Sequence, residues 1–193
     1  MPITIHSTAE VSPKAVIGDG TKIWHNAQVL EGAVIGENCV IGHNCLVGEV
    51  TVGNGVKIQS NTDVWHKVTL EDYVFVGPSA VFTNDLNPRA KYPKTKEEWL
   101  PTLVKEGATL GANSTVVCGS TIGKWALIGA GAVVKGQVPD HALMVGVPAK
   151  QIGWVCECGI KLEFVSGSGG QEAGSCSACG RKYTKKGQEV GLA

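Results

Sequence analysis

Hydrophobic positions along this chain recur every sixth residue. Ile17, Ile23, Val29, Ile35 and Ile41 head the hexads IGDGTK, IWHNAQ, VLEGAV, IGENCV and IGHNCL. Four places after each stands a small side chain: Thr21, Ala27, Ala33, Cys39 and Cys45. A period of six is neither the helical stripe nor the alternation of a simple strand, and it predicts a repeating coil. Each hexad supplies one short strand and one turn, with the aliphatic residue filling the interior and the small one letting the corner close. Three hexads make one triangular rung, so residues eighteen apart stack at roughly 4.8 Å. The predicted fold is all-β, a parallel β-helix.

The register begins at Ile5 and Val11, with Ala9 and Ala15 as their small partners, and holds through Val47, with Thr51 inward. One residue is then missing. The pattern resumes at Val52, Ile58, Val64, Leu70, Val76 and Phe82, is lost over residues 83–103, and returns at Val104, Leu110, Val116, Ile122, Ile128 and Val134. A coil that ejects some twenty residues and resumes in phase is using them, because structureless loops of that length are uncommon unless functional. After Pro139 the prolines and glycine of PDHALMVGVPAKQIGW break the ladder. The expected organisation is a coil over 1–139 with the excursion 83–103, a connector over 140–154 that helps cap the last rung, and a tail of different composition over 155–193. Within the tail, SGSGG reads as a hairpin tip.

Counting rungs through the one-residue deletion places the hexads at Val29, Val47, Val64 and Phe82 on one edge. Their third residues, Glu31, Glu49, His66 and Asn84, form a column there. A second edge carries the hexads at Ile5, Ile23, Ile41, Ile58 and Val76, with His25 and His43 at the third position. If the coil resumes on the third edge, Ala112 and Ala130 join this second column.

Composition adds exclusions. Twenty-six glycines beside only three Phe and three Tyr fit a thin, tightly turning core. Formal charge is zero, so neither a nucleic-acid nor a membrane surface is indicated. MPITIHSTAE lacks a basic region followed by an apolar run, and no apolar stretch is long enough to span a bilayer, so a cytoplasmic protein is expected.

Four of the seven cysteines are clustered in the tail. Cys156-x-Cys158-Gly and Cys176-x-x-Cys179-Gly are two thiolate pairs whose spacing suits tetrahedral zinc, and in a reducing compartment zinc is favoured over disulfides. The first pair is one residue shorter than the usual zinc-ribbon knuckle. Four protein ligands leave no position for water, so the zinc would be structural. Cys39 and Cys45 read as inward small residues and Cys118 as an inert turn residue.

Hexads of the form [LIV]-G-x-x-[small]-x resemble the hexapeptide-repeat acyltransferases, which implies a left-handed β-helix and a homotrimer with active sites between subunits. Within that superfamily IWHNAQVLEGAVIGENCVIGHN, VTLEDYVFVGPSAVFTNDLNPR and TLVKEGATLGANSTVVCGSTIGKWALIGAGAVV resemble nucleotide-sugar N-acetyltransferases over residues 5–154. The resemblance implies acetyl-CoA as co-substrate and a nucleotide-linked amino sugar as acceptor. The group most similar acetylates the 3-amino group of UDP-2-acetamido-3-amino-2,3-dideoxy-D-glucuronate, for surface polysaccharide (O-antigen) synthesis. The alternative is a dTDP-3-amino-3,6-dideoxyhexose, favoured by TND where many glucuronate enzymes have an apolar residue after the asparagine.

By this resemblance, coenzyme A runs beside the C-terminal rungs. Ala112 and Ala130 would let the pantetheine approach the backbone, or serve only tight turns. Lys135 and Lys150 would meet its phosphates, or be ordinary solvated lysines. Asn84 matches the family's active-site asparagine, orienting the amine or the thioester oxygen. Asp85 is a candidate proton acceptor or a turn residue. His66 is a candidate base, since histidine titrates near neutrality, or a surface residue. A partly neutral amine would need no strong base. His25, Glu31, His43 and Asn44 are expected to reach the nucleotide or sugar. Arg89, whose fork suits carboxylate and phosphate, is expected at a charged substituent, or with Glu31 in trimer contacts. Two other classes stand beside this one. A carbonic-anhydrase-like β-helix would use His25 and His43 as zinc ligands, and a non-enzymatic scaffold would use the tail for docking.

Overall fold

The computed structural model describes residues 1–166 and 171–193, so most of the SGSGG tip lies outside the described residues. Short parallel strands stack into three faces, as the hexad pattern requires. One face is built from Thr4–Ile5, Lys22–Ile23, Val40–Ile41, Lys57–Ile58, Phe75–Val76, Thr109–Leu110 and Leu127–Ile128. The second carries Gln28–Val29, Leu46–Val47, Asp63–Val64 and Val81–Phe82, and the third carries Val34–Ile35, Thr51–Val52, Val68–Leu70 and Thr102–Val104. The ladder pairs residues eighteen apart, as in Ile5 with Ile23 and Gln28 with Leu46. The only helical element among the described residues is the 3₁₀ turn Lys96–Glu98.

From the second rung on, the aliphatic heads and small partners are fully buried, as in Ile23, Val29 and Ile35 with Ala27, Ala33 and Cys39, whereas the first rung leaves Ile5 exposed and Val11 and Ile17 half-buried. Cys39 and Cys45 are indeed inward. Their thiols donate to the carbonyls of Gly53 and Gln59, each at 3.1 Å, and burial raises both pKa values. Cys118 is buried as well. One inward assignment is corrected. At the shortened hexad the buried residue is Val50, 4% exposed, while Thr51 faces out. The missing residue is taken from the turn, so Thr51 already belongs to the next strand and pairs with Val34.

The corners need a left-handed residue, and asparagine tolerates that region better than most side chains. Asn38, Asn44 and Asn61 take φ of 55°, 54° and 60°. The Asn44 amide also donates to the Asn61 carbonyl oxygen of the rung above at 3.2 Å.

The excursion leaves after Phe82, and the ladder closes again at Thr102, which pairs with Val68. The last two residues assigned to the excursion from the pattern are therefore already coil. At the far end, Ala142–Val145 pairs in parallel with the last coil strand of its face. Antiparallel Lys150–Val155 and Lys161–Leu162 follow, burying Trp154 and Val155 over the final rung. The tail then forms a four-stranded antiparallel sheet of Phe164–Ser166, Glu172–Ser175, Lys182–Lys186 and Glu189–Leu192.

Candidate active site and four-cysteine cluster

The column counted from the sequence is present on the second face. Asp63 pairs with Leu46 below and Val81 above, which puts Glu49, His66 and Asn84 on successive rungs of one corner. The excursion folds back down over this corner. Its returning limb is held by Lys67, whose ammonium donates to the carbonyls of Glu97 at 3.3 Å and Trp99 at 3.0 Å. Leu100 N–H donates to the Asn84 carbonyl at 3.2 Å. Trp99 lies flat on the His66 ring, with centroids 5.5 Å apart and planes 11° apart. Lys96 bridges to Glu49 at 3.1 Å. Together Glu49, His66, Lys67, Lys96, Glu97 and Trp99 line a cavity of about 310 Å³.

Two candidate bases are constrained by their partners. The Glu49 backbone N–H donates to His66 Nδ1 at 3.0 Å. A neutral ring that accepts at Nδ1 carries its proton on Nε2, which then donates rather than accepts. Asp85 accepts from the Lys94 ammonium and, at 2.8 Å, from the Asn87 N–H. Lys94 first, and the Asn87 N–H second, hold its carboxyl below the usual range. In this arrangement Asp85 fastens the base of the excursion. Asn84 differs from both, because its carboxamide has no hydrogen bond to protein among the described residues.

Glu31, further down the column, forms an exposed ion pair with Lys14 at 2.6 Å, of the kind that contributes little. Arg89 is exposed and donates only to its neighbour's carbonyl, Pro88, at 3.5 Å among the described residues.

The other corner is built differently. His25 and His43 stack face to face at 4.9 Å, and His6 meets His25 edge-on at 5.3 Å. Ser60, on the next rung, lies 2.8 Å from His43 Nδ1. Parallel stacked rings aim their nitrogens side by side rather than at one ion, which disfavours a histidine metal site. Trp24, His25, His43 and Ser60 border an open groove of about 310 Å³. Higher on this face Ala112 and Ala130 follow one another, with Gly131 N–H donating to the Ala112 carbonyl at 2.8 Å. A Cβ at Gly77 would lie 2.7 Å from Ala112 N, and one at Gly111 would lie 2.5 Å from Ala130 N. Only glycine fits beneath each alanine, and the column position itself carries no more than a methyl group there. Lys135 and Lys150 are exposed.

The four tail cysteines do converge. Their sulfurs all lie within 4.8 Å of one another, with Cys156–Cys179 and Cys158–Cys176 each at 3.5 Å. Tetrahedral zinc–sulfur bonds of about 2.3 Å would set the sulfurs roughly 3.8 Å apart, so the set fits such an ion. Each pair sits on a tight turn, where Gly159 N–H bonds the Cys156 carbonyl and Gly180 N–H the Cys176 carbonyl. Gly159 and Gly180 take φ of 88° and 74°, which accounts for the glycine after each pair. The missing residue in the first pair does not prevent convergence. The Arg181 backbone N–H draws the Cys179 thiol down to about 6.

Sequence reasoning missed Lys67, Lys94, Lys96, Trp99 and Ser60. Four of these serve the excursion, whose return path carries no periodic signal, and Ser60 reads as one more polar turn residue.

Comparison with known proteins agrees with the coil. The family model described as bacterial transferase hexapeptide (six repeats) matches residues 14–49 and 101–136. A dTDP-3-amino-3,6-dideoxy-alpha-D-galactopyranose 3-N-acetyltransferase of Aneurinibacillus thermoaerophilus is 44% identical over 82 residues, 42% of this chain and 40% of that protein. The bifunctional protein GlmU of Thermotoga maritima is 32% identical over 145 residues, 74% of this chain and 30% of its own length. The chain thus spans well under half the length of these curated relatives. PerB from Caulobacter crescentus, solved in complex with CoA and GDP-perosamine, is 25% identical with a TM-score of 0.50, covering 79% of this chain and 58% of PerB. The acetyltransferase domain of PglB from Neisseria gonorrhoeae is 26% identical with a TM-score of 0.52, covering 78% of this chain and 58% of that one. With two- and three-residue strands stacked into three parallel faces and the repeat model matched on both sides of the excursion, the coil is similar to that of the bacterial hexapeptide transferases.

Proposed function

We propose that this chain is an acetyl-coenzyme A-dependent N-acetyltransferase acting on the 3-amino group of a nucleotide-linked sugar. The observation that carries the reading is the corner at Asn84. There an excursion leaves an otherwise unbroken coil and places an uncommitted carboxamide above a lined cavity. The similarity to a dTDP-3-amino-sugar N-acetyltransferase and to the CoA-bound PerB supports the reaction class. UDP-2-acetamido-3-amino-2,3-dideoxy-D-glucuronate remains the proposed acceptor on the residues already quoted, with surface polysaccharide synthesis as its setting. A second reading, a dTDP-3-amino-3,6-dideoxyhexose, is favoured by the 44% identity over 82 residues and by Asp85. The enzyme would work in the cytoplasm as a homotrimer, with the charged corner of one subunit facing the bare corner of its neighbour.

In this mechanism the sugar amine attacks the thioester carbonyl, the C–N bond forms and the C–S bond breaks. The proton lost from nitrogen leaves with the departing thiolate or to solvent. Asn84 orients the reactants, and most of the rate comes from positioning. His66, tied at Nδ1, and Asp85, tied to Lys94, shape the site without taking the proton. Pantetheine lies along Ala112 and Ala130, with Lys135 and Lys150 toward its phosphates. His25, His43 and Glu31 flank the nucleotide, and Arg89 offers its exposed fork to a carboxylate or phosphate. Asn44 is accounted for by its turn and its bond to Asn61. The ion held by Cys156, Cys158, Cys176 and Cys179 is structural zinc, which would join the two turns of the tail.

Thioester consumption with a panel of nucleotide amino sugars tests the reading. UDP- and dTDP-linked 3-amino sugars should be turned over, with one group preferred. Turnover of none, or of 4-amino sugars alone, would overturn it.

A further inference from the structure

The four-cysteine cluster and the end of the coil meet at one buried side chain. Tyr183 is 1% exposed, and its hydroxyl lies 3.1 Å from both the Cys156 sulfur and the Glu157 backbone nitrogen. The Glu157 N–H occupies a lone pair of that hydroxyl, so the phenolic proton is left for the sulfur. The ring meets His141 edge-on, with centroids 5.4 Å apart and planes at 71°. His141 is itself buried, and its backbone N–H donates to the Lys124 carbonyl at 2.7 Å. Its carbonyl accepts from Val155 N–H at 2.8 Å, and its Nδ1 lies 3.0 Å from the Val155 carbonyl. Lys124 belongs to the last complete rung and Val155 immediately precedes Cys156, so these contacts form a continuous path from coil to cluster.

We propose that Tyr183 is an outer-sphere clasp, donating its hydroxyl proton to the Cys156 thiolate of the metal centre and locking that centre, through His141, to the terminal rung. This inference rests on the reading of the four cysteines as a metal centre. Outer partners of this kind orient the ligand and tune the metal, and their loss typically weakens binding 10- to 100-fold. The clasp makes the tail the lid of the coil's open end, so metal binding and closure of the last rung are linked.

The test uses the full chain and Tyr183→Phe, which keeps the ring. Zinc affinity, read by competition with a chromophoric chelator, should fall about 10- to 100-fold while the far-UV spectrum is unchanged. With Co²⁺ in place of zinc, the thiolate-to-metal charge-transfer band should move to lower energy, since the sulfur loses a donor. In the wild-type chain, chelation should strip hydrogen-exchange protection from residues 142–145 and 155–157 while Ile41 and Ile58 keep theirs. Unchanged affinity with an unmoved band would overturn the clasp, and so would protection at the last rung that ignores the metal. A wild-type chain that takes up neither ion would instead overturn the metal reading itself.

Discussion

On the corner that carries the excursion, Glu31, Glu49, His66 and Asn84 put a polar or charged group on successive rungs. On the corner that carries Ala112 and Ala130, the third position of the upper rungs presents only a methyl group over glycine. Both are turns of the same parallel ladder, although the first also carries the shortened hexad at Glu49 and the excursion after Asn84. In a coil whose interior is fixed by packing, the third residue of each hexad is where the chain remains free to vary, and the two corners vary it in opposite directions. Charge and ring stacking hold a loop in place over one. The small residues of the column leave backbone approachable along the other. A reaction between a polar sugar and a long, flexible thioester needs both surfaces.

The sharpest way to break this comparison is to fill the bare corner. Ala112→Phe should lower kcat/KM for acetyl-coenzyme A by on the order of 10²-fold or more, since displacing a bound reactant by an ångström is already that costly. Circular dichroism should show the coil intact. Asn84→Ala removes the uncommitted carboxamide and should lower kcat roughly 10²-fold with a smaller change in KM, which separates transition-state contact from binding. Lys67→Ala removes two hydrogen bonds from a charged donor to the returning limb, both of them solvent-exposed and so each of modest worth. It should expose Trp99 to a fluorescence quencher and cost less activity than Asn84→Ala. His66→Ala and Asp85→Asn should change least. Each should keep a near-normal rate and an unaltered pH profile, whereas loss of a limb in either profile would restore that residue as the base.

The Asp85–Lys94 contact gives a weaker, pH-dependent counterpart. The folded-state pKa of Asp85 is depressed below 3.8, so its contribution is present above that value and is lost as pH falls through the folded pKa. Quencher access to Trp99 should therefore be constant through neutrality and rise only in acid below the ordinary carboxylate range.

The coil was legible because every sixth residue repeats one physical demand, and even the deletion after Val47 could be counted through. The error there, Thr51 for Val50, arose because a pattern reveals that a turn is short without saying which residue still points inward. The pairings of Asp63 with Leu46 and Val81 follow from the same count, so the alignment of Glu49, His66 and Asn84 was readable too. What those side chains touch was not. The lysines that tie down Asp85 and Glu49 lie nine and forty-seven residues further on, in a segment with no register. The cysteine pairs were readable from spacing alone, whereas Tyr183 gave no sign, being one aromatic residue in a strand.

The excursion also bears on how the molecule assembles. Most rungs close by joining residues eighteen apart, which lets structure propagate along the coil like a zipper. At Val68 and Thr102 the partners are thirty-four apart, and the logarithmic cost of the longer closure adds about 0.6 kcal/mol to that one step. The contacts of Lys67 with the returning limb form only after the loop has closed, so they offset it in the finished coil but not at the closing step. Folding begun on either side should therefore pause at this join, and in exchange experiments the rungs below and above should open as two separate blocks that part at the proposed active site.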